Sequence, residues 1–149
     1  MELGTLGAVL AFAIKLEGHS AQFYEEAASL AKESPASDVF LSLAEARRKR
    51  KELLQRSRRE NINEMLLEPI VGLKGSDYLM ETELSSKMGY YDVLQLAMEL
   101  EENSRRFYLD AAGRVNLPQV TKLFEKLGEE NADHKLRVKS LHKEEGPGV

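Results

Sequence analysis

The sequence predicts an all-α protein, an antiparallel four-helix bundle in which one long crossover joins two repeated helical hairpins. The chain repeats itself, because residues 9–55 match residues 93–139 without a gap, and 14 of the 47 aligned positions are identical. No segment shows the alternating pattern of a half-buried strand. A length of 149 residues suits one domain, which we place at 1–149.

The repeat is specific in its residues and not only in its hydrophobic rhythm. In both halves a Glu is followed six and seven residues later by Phe-Tyr, and then by Ala-Ala. The identical pairs include Val9/Val93, Leu10/Leu94, Ala13/Ala97, Leu16/Leu100, Glu17/Glu101, Ser20/Ser104, Phe23/Phe107, Tyr24/Tyr108, Ala27/Ala111, Ala28/Ala112, Phe40/Phe124 and Leu43/Leu127. We place the halves at about 5–59 and 90–142, with a connector at about 60–89.

The first half predicts two helices, each with one apolar stripe at alternating steps of four and three residues. Ser34 and Pro35 supply a cap and a first-turn proline for the second helix. The stripes consist of Leu6, Leu10, Ala13, Glu17, Ser20, Tyr24, Ala27 and Ala31, and of Phe40, Leu43, Arg47, Arg50 and Leu54.

The second half predicts two further helices, which are separated by Asn116 and Pro118. Their stripes consist of Tyr90, Leu94, Ala97, Glu101, Ser104, Tyr108 and Ala111, and of Val120, Phe124, Leu127, Asn131, His134, Val138 and Leu141. Four helices of about 25 residues would each be about 37 Å long. The sequence Gly146-Pro147-Gly148 predicts a frayed tail.

The connector between the hairpins runs from Asn61 to Met88 and is long enough to span the bundle. It contains the breakers Pro69, Gly72 and Gly75, and the apolar residues Met65, Leu66, Leu67, Ile70, Val71 and Leu73. We expect a short helix at Asn63–Glu68. Because the connector is apolar, we expect it to pack on the bundle or on a second subunit.

Composition excludes several classes of function. The absence of cysteine excludes disulfides, a thiol nucleophile, a zinc finger and thiolate-held iron. Only His19, His134 and His142 supply imidazole, and the net charge of −4 argues against a general nucleic-acid binder. Acidic Glu2 precedes the apolar stretch Leu3–Leu16, and no apolar run reaches the length of a membrane span. We therefore expect a cytoplasmic protein.

Polar residues interrupt the apolar stripes at matching heights in the two halves. The repeat pairs Glu17 with Glu101, Arg47 with Asn131, and Arg50 with His134. A buried charge is costly unless it is paired or bound to a metal, so this layer is the candidate site. We interpret Tyr24 and Tyr108 as packing residues whose hydroxyl groups find a partner, rather than as redox groups.

Segments in both halves carry a resemblance to a known family. Glu17 with Phe23-Tyr24 and Ala27-Ala28, and its copy at 101–112, resemble helices one and three of rubrerythrin-type proteins of the ferritin-like superfamily. Phe40-x-x-Leu43-Ala44 and Phe124-x-x-Leu127-Gly128-Glu129-Glu130, followed by His134, resemble helices two and four. The resemblance implies a ferritin-like bundle with two irons, held by a Glu from each of two helices and a Glu-x-x-His from each of the others. It also implies oxidation chemistry with peroxide or dioxygen. Without cysteine, the chain lacks the rubredoxin iron that some members add.

The chain departs from the ligand pattern of this family at half of its positions. Glu17, Glu101 and His134 match it, whereas Asn131, Arg47 and Arg50 stand where the other three ligands belong. A complete site has four carboxylates, whose charge of −4 two divalent metals neutralise. Two Glu and two Arg are neutral without metal, and a guanidinium can bridge two carboxylates. We therefore interpret the two arginines as occupying the place of the iron pair.

A metal site stays open as the alternative. Glu130 precedes His134 by four residues, so both side chains can share a helix face. A mononuclear site from Glu17, Glu101, Glu130 and His134 would then bind iron or manganese. We expect no cofactor, and interpret His134 as a hydrogen-bonded core residue and the two layer carboxylates as ion-pair partners of the arginines.

A basic stretch on the second helix is a candidate nucleic-acid interface. It contains Arg47-Arg48-Lys49-Arg50-Lys51, Arg56, Arg58 and Arg59, with Glu45, Glu52 and Glu60 interleaved and no aromatic residue. We interpret it as a solvated face, or as a subunit contact with acidic stretches such as Glu99–Glu102, rather than as a nucleic-acid interface.

Two functions follow from the sequence, and they leave open whether the protein is an enzyme. The first is a binding or structural protein whose degenerate diiron centre is replaced by an ion-pair layer. The alternative is a rubrerythrin-like, iron-dependent oxidoreductase of peroxide or dioxygen with a reduced or mononuclear metal site. We expect a homo-oligomer, a dimer formed through the connector or the second helix, with no membrane association and an unidentified protein partner.

Overall fold

Four long helices form the described part of the protein, so the all-α class is confirmed. The computed structural model describes residues 2–32, 34–65, 69–80 and 82–145. The helices are α1 (Leu6–Leu30), α2 (Ala36–Glu60), α3 (Tyr90–Ala112) and α4 (Pro118–Glu145). In the described ranges the only β pairing is an isolated bridge between Glu2 and Lys74.

Three of the helices begin at residues that favour a helix start, and the sequence had indicated the Ser34 cap among them. The Thr5 hydroxyl accepts the backbone N–H of Ala8 at 3.0 Å at the start of α1. The Ser34 hydroxyl accepts the backbone N–H of Ala36 at 3.2 Å at the start of α2. Pro118 is the first residue of α4, where its missing N–H costs no hydrogen bond.

The helices pack as two hairpins. α1 packs along α2 and α3 packs along α4, whereas smaller contacts of α1 with α3 and of α2 with α4 join the hairpins. The predicted antiparallel bundle of two hairpins is therefore confirmed. No helix in the described part of the chain is apolar over a length that would cross a membrane.

The connector crosses the length of the bundle. Near its start, the backbone N–H of Ile70 donates to Gly4 at 2.9 Å, and the side chain of Leu73 is completely buried beside the start of α1. Further along, Met80, Leu84 and Met88 pack against the apolar cluster at the opposite end. The connector thus packs on the bundle, which is the first of the two expectations, packing on the bundle or on a second subunit.

The structure describes only the first half of the short helix that the sequence predicted at Asn63–Glu68. A single 3-10 turn spans Ile62–Glu64, with Glu64 donating to Asn61 at 3.0 Å. Ile62 is 67% exposed, so this turn buries no apolar face that would support a longer helix. Residues 66–68 and the tail 146–149 lie outside the described residues.

Two apolar clusters fill the bundle, and a polar layer separates them. One cluster contains Leu10, Phe107, Phe124 and Leu127, and surrounds the start of α1 and the end of α3. The other contains Tyr24, Phe40, Leu43 and Leu94, and surrounds the end of α1 and the start of α3. Glu17, Arg47 and Glu101 lie between the two, completely buried.

Candidate functional site: the ion-pair layer

The polar layer consists of the residues that the repeat predicted. Glu17, Arg47, Glu101 and Asn131 are completely buried, and Arg50 is 3% exposed. All four helices contribute, because the 3-4 rhythm of each stripe turns these positions inward. His134 lies at the margin, with its side chain 12% exposed.

Arg47 connects the two hairpins. Its Nη1 donates to Glu17 Oε1 at 3.0 Å, and its Nη2 lies 3.1 Å from Glu101 Oε2. The same Nη2 donates to the Ser104 hydroxyl at 3.1 Å. One guanidinium on α2 therefore bridges a carboxylate of α1 and a carboxylate of α3, which is an arrangement that a guanidinium allows but that the sequence did not assign to Arg47.

Arg50 and Asn131 complete the connection to α4. Nη2 of Arg50 donates to Glu17 Oε2 at 3.2 Å and to Asn131 Oδ1 at 2.9 Å. The Asn131 amide in turn donates to Glu101 Oε1 at 2.8 Å. The guanidinium carbon of Arg50 lies 5.2 Å from the centre of the Tyr108 ring. Asn131 thus works as a neutral relay between a cation and a carboxylate.

Two tyrosines cross between the hairpins. The Tyr24 hydroxyl donates to Glu101 Oε2, and the Tyr108 hydroxyl donates to Glu17 Oε2. The expectation that both hydroxyl groups find a partner is confirmed. Burial, and next the charge of the neighbouring carboxylate, raise the pKa of both phenols well above the ordinary value. Both tyrosines therefore remain protonated donors.

Electrostatics fix the charges of the bridging pair. Burial alone would raise the pKa of Glu101, but the Arg47 guanidinium, the neighbouring His134 imidazole and a hydrogen bond from Tyr24 hold it well below its usual range. Burial also opposes the charge of Arg47, but Glu101 and Glu17 outweigh it and raise the guanidinium pKa further. With Arg50 as the second cation, the formal charges of the layer cancel.

The alternative of a mononuclear metal site remains a prediction. Nδ1 of His134 lies 3.3 Å from Glu101 Oε1, so imidazole and carboxylate are neighbours. Glu130 is only partly buried. In the described ranges, no group of three or more His, Asp or Glu side chains is arranged to hold a metal ion.

The donor set does not fit a pair of irons. The diiron centre of this fold uses four carboxylates and two imidazoles, whereas the layer has two carboxylates and His134. Oxygen atoms of both Glu17 and Glu101 already contact guanidinium nitrogens at 3.0–3.2 Å. A metal would have to displace these contacts and would meet two positive charges.

Sequence reasoning missed Ser104 as a member of the layer. Its hydroxyl donates to the Leu100 carbonyl at 2.8 Å and accepts from Arg47. The signal was present, because serine recurs three residues after the glutamate in both halves, on the same stripe. Its copy Ser20 donates to the Leu16 carbonyl at 2.6 Å.

The basic stretch of α2 is partly neutralised within the chain. Arg48, which is 44% exposed, forms ion pairs with Glu25 on α1 and with Glu45, the latter at 3.0 Å. Arg47 and Arg50 point into the layer. These contacts favour the interpretation of a solvated, salt-bridged face over that of a nucleic-acid interface.

Comparison with known proteins agrees with this architecture. The family model for rubrerythrin matches residues 92–149, which contain α4 and nearly all of α3. A Thermotoga maritima structure described as a ferritin-like diiron-carboxylate protein has a TM-score of 0.81 and 22% identity over 98% of this chain and 99% of that chain. A hypothetical protein of Pyrococcus furiosus has a TM-score of 0.71 and 22% identity over 93% of this chain and 88% of that chain. No curated protein matches. The two structures show that the chain has this bundle fold, and the family match over residues 92–149 supports in the second hairpin the resemblance to rubrerythrin that the sequence indicated.

Proposed function

We propose that this rubrerythrin-type chain is a binding or structural protein whose diiron centre has been replaced by the ion-pair layer. The observation that carries the proposal is the position of Arg47, whose guanidinium lies within 3.1 Å of both Glu17 and Glu101. Two guanidinium groups then balance the two carboxylates that would otherwise need metal cations. In this role the layer joins the hairpins, since its contacts involve all four helices.

Metal analysis tests the proposal directly. Protein grown in iron-rich medium should retain no tightly bound iron and show no visible absorption band. A chelator should leave the melting temperature unchanged, because a ligand that binds only the native state must stabilise it. One or two irons retained per chain, together with consumption of peroxide, would overturn the proposal.

The alternative is an iron-dependent oxidoreductase with a mononuclear site of iron or manganese. The observation that favours it is the 3.3 Å contact between the His134 imidazole and the Glu101 carboxylate. The ligands would be Glu17, Glu101, Glu130 and His134. If this function is correct, His134→Ala and Glu130→Gln should each lower the bound metal, whereas Glu129→Gln, one residue earlier on α4, should not.

We also propose that the chain forms a cytoplasmic homodimer through the connector. Val71 is 78% exposed, Ile62 67% and Leu79 49%, so the connector presents apolar side chains to its surroundings. A charged substitution at Ile70 would not test the dimer, because Ile70 is 7% exposed and packs within its own chain. Leu67 lies outside the described residues.

Sedimentation tests the dimer. The double variant Ile62→Glu with Val71→Glu should weaken the association without changing the melting temperature of the subunit. Leu136→Glu, at a 61% exposed position of α4, is the matched control and should leave the association intact. A monomer at high micromolar concentration would rule out the dimer.

A further inference from the structure

Tyr78 anchors the connector in a pocket at the end of α3. Its side chain is buried, and its ring lies edge-on to the Phe107 ring, with 5.4 Å between the two centroids. The Tyr78 hydroxyl donates to the Asp110 carboxylate at 2.6 Å. The guanidinium carbon of Arg106 lies 5.4 Å from the centre of the Tyr78 ring, and the guanidinium Nη2 donates to the Asp77 carbonyl at 2.8 Å. An aromatic ring, a carboxylate and a hydrogen-bond donor at neighbouring positions of α3 therefore hold one tyrosine.

The repeat places counterparts of these three side chains on α1. The aromatic ring is again a phenylalanine, the carboxylate is one methylene longer, and the guanidinium is replaced by an amide, which also donates hydrogen bonds. The counterparts are Phe23, Glu26 and Gln22, and all three line an open groove of about 850 Å³ between α1 and the connector. The side chains of Glu26 and Gln22 form no hydrogen bond or ion pair with another described residue, so both can bind a ligand.

The connector supplies an apolar wall to the same groove. Leu79, Met80 and Leu84 line it, and Met80 and Leu84 pack against the apolar cluster that contains Phe23. Leu79 is 49% exposed. The groove thus combines an apolar wall and a phenylalanine ring with a carboxylate and an amide, which suits an aromatic ring that carries one polar end.

Carboxylates outnumber cations along the groove. Glu2, Glu26 and Glu83 line it, whereas Lys15 and His19 are the basic side chains among its lining residues. On α1, Lys15 and Glu26 are separated by about 16 Å along the helix axis, at about 1.5 Å per residue. Lys15 therefore leaves the surroundings of Glu26 acidic, and charge complementarity favours a basic ligand over an acidic one.

A second copy of this chain is a poor source of a tyrosine for the groove. The five tyrosines of the chain are all buried or half-buried within their own subunit, namely Tyr24, Tyr78, Tyr90, Tyr91 and Tyr108. A ligand tyrosine must therefore come from another protein.

We propose that this groove binds a tyrosine in a basic segment of a partner protein. The tyrosine ring lies on Phe23 and its hydroxyl donates to the Glu26 carboxylate, as the Tyr78 hydroxyl donates to Asp110. The Gln22 amide donates to a backbone carbonyl of the segment. The proposal rests on the binding role proposed above and names its partner class. Its test uses residues outside the ion-pair layer, so a failure here leaves the account of the layer intact. Iron bound by the parent would overturn that account without changing the result of the peptide experiment.

Fluorescence anisotropy with a labelled peptide tests the proposal. The probe has the sequence of residues 74–80 with Asp77→Lys and blocked ends, so it is basic and contains one tyrosine. It should bind the full chain saturably, with one peptide per chain. The same peptide with phenylalanine in place of the tyrosine should bind about tenfold more weakly, because it cannot donate a hydrogen bond to the charged Glu26 carboxylate.

Variants of the protein locate the binding site. Glu26→Ala should weaken binding of the tyrosine peptide about tenfold and abolish the difference between the two peptides. Glu25→Ala is the matched control, because it removes the same charge one residue earlier, where Glu25 pairs with Arg48 of α2. It should leave both affinities unchanged, and both variants should keep the circular dichroism spectrum of the parent.

Four results would each overturn the proposal. They are absence of saturable binding, equal affinities of the parent for the two peptides, equal effects of Glu26→Ala and Glu25→Ala, and loss of binding in Asp110→Ala with full binding in Glu26→Ala. The last result would place the peptide in the α3 pocket, where it would displace Tyr78.

Discussion

The two hairpins agree in their first helices, α1 and α3, and differ in their second helices, α2 and α4. α1 and α3 carry the same polar residues at equivalent positions, Glu17, Ser20 and Tyr24 on α1, and Glu101, Ser104 and Tyr108 on α3. At the matching positions, α2 supplies Arg47 and Arg50, whereas α4 supplies Asn131 and His134. Each hairpin therefore supplies one carboxylate to the layer, whereas only the first hairpin supplies guanidinium groups.

This difference makes the hairpins electrostatically complementary. In the layer, the α1–α2 hairpin carries one carboxylate and two guanidinium groups, whereas the α3–α4 hairpin carries the Glu101 carboxylate. The first is formally positive and the second formally negative, so docking neutralises both. Arg47 connects the two hairpins directly, because its guanidinium extends from α2 to within 3.1 Å of Glu101 on α3.

The largest expected effect comes from making α2 resemble the family pattern. The triple variant Arg47→Glu, Arg50→His and Asn131→Glu would place a Glu-x-x-His on both α2 and α4, beside Glu17 and Glu101. Without metal it should be far less stable than the parent, because four carboxylates would then repel each other in one layer. With ferrous iron or manganese it should recover and retain two ions per chain.

Calorimetry with and without metal measures this effect. The parent, carried through the same metal treatment, is the control and should keep one melting temperature throughout. If the triple variant melts at the same temperature with and without metal and binds none, Arg47 and Arg50 do not occupy the ligand positions of the family.

The second effect comes from removing one cation. Arg47→Ala or Arg50→Ala should destabilise the fold by about 3–5 kcal/mol, because Arg47→Ala leaves the buried Glu101 without a guanidinium partner and Arg50→Ala removes one of the two cations that compensate the buried carboxylates. Arg56→Ala, at an exposed position of the same helix, is the control and should change stability by less than about 0.5 kcal/mol. Urea unfolding measures all three, and layer variants that unfold like the control would place the arginines in solvent.

The sequence predicted which helix faces carry the residues of the layer and how far along the bundle these residues lie. It did not predict which side-chain atoms contact each other. The 3-4 rhythm of α2 placed Arg47 and Arg50 inside, and the offset of the repeat placed them level with Asn131. Spacing does not determine side-chain rotamers, so it left undecided that Arg47 would span both carboxylates and that Ser104 would join them. The connector was predicted least well, because its turns depend on contacts with the bundle rather than on its own propensities.

The third effect is a dependence of stability on pH in the acidic range. The fold lowers the pKa of Glu101. The contribution of ionised Glu101 to the free energy of unfolding is therefore complete above the pKa of an unfolded carboxyl group, about 4.3. This contribution is lost as the pH falls below that value. The melting temperature should therefore decrease steeply from pH 5 to pH 3. Glu101→Gln should lower the stability at pH 7 and flatten this slope, whereas Glu99→Gln, at an exposed position, should keep the slope of the parent. An unchanged slope in Glu101→Gln would contradict the ion pair.

The smallest effect compares the two tyrosines. Tyr24→Phe and Tyr108→Phe each remove one hydrogen bond to a charged acceptor, at a cost of about 1.5–3 kcal/mol. The two costs should differ in a fixed direction, because Glu17 keeps two guanidinium partners, Arg47 and Arg50, whereas Glu101 keeps one, Arg47, beside the Asn131 amide and the His134 imidazole. Tyr24→Phe should therefore be the more destabilising variant in urea unfolding. Tyr91→Phe, which leaves the layer untouched, is the control, and a greater loss in Tyr108→Phe would show that the cations of α2 do not protect the carboxylate of their own hairpin.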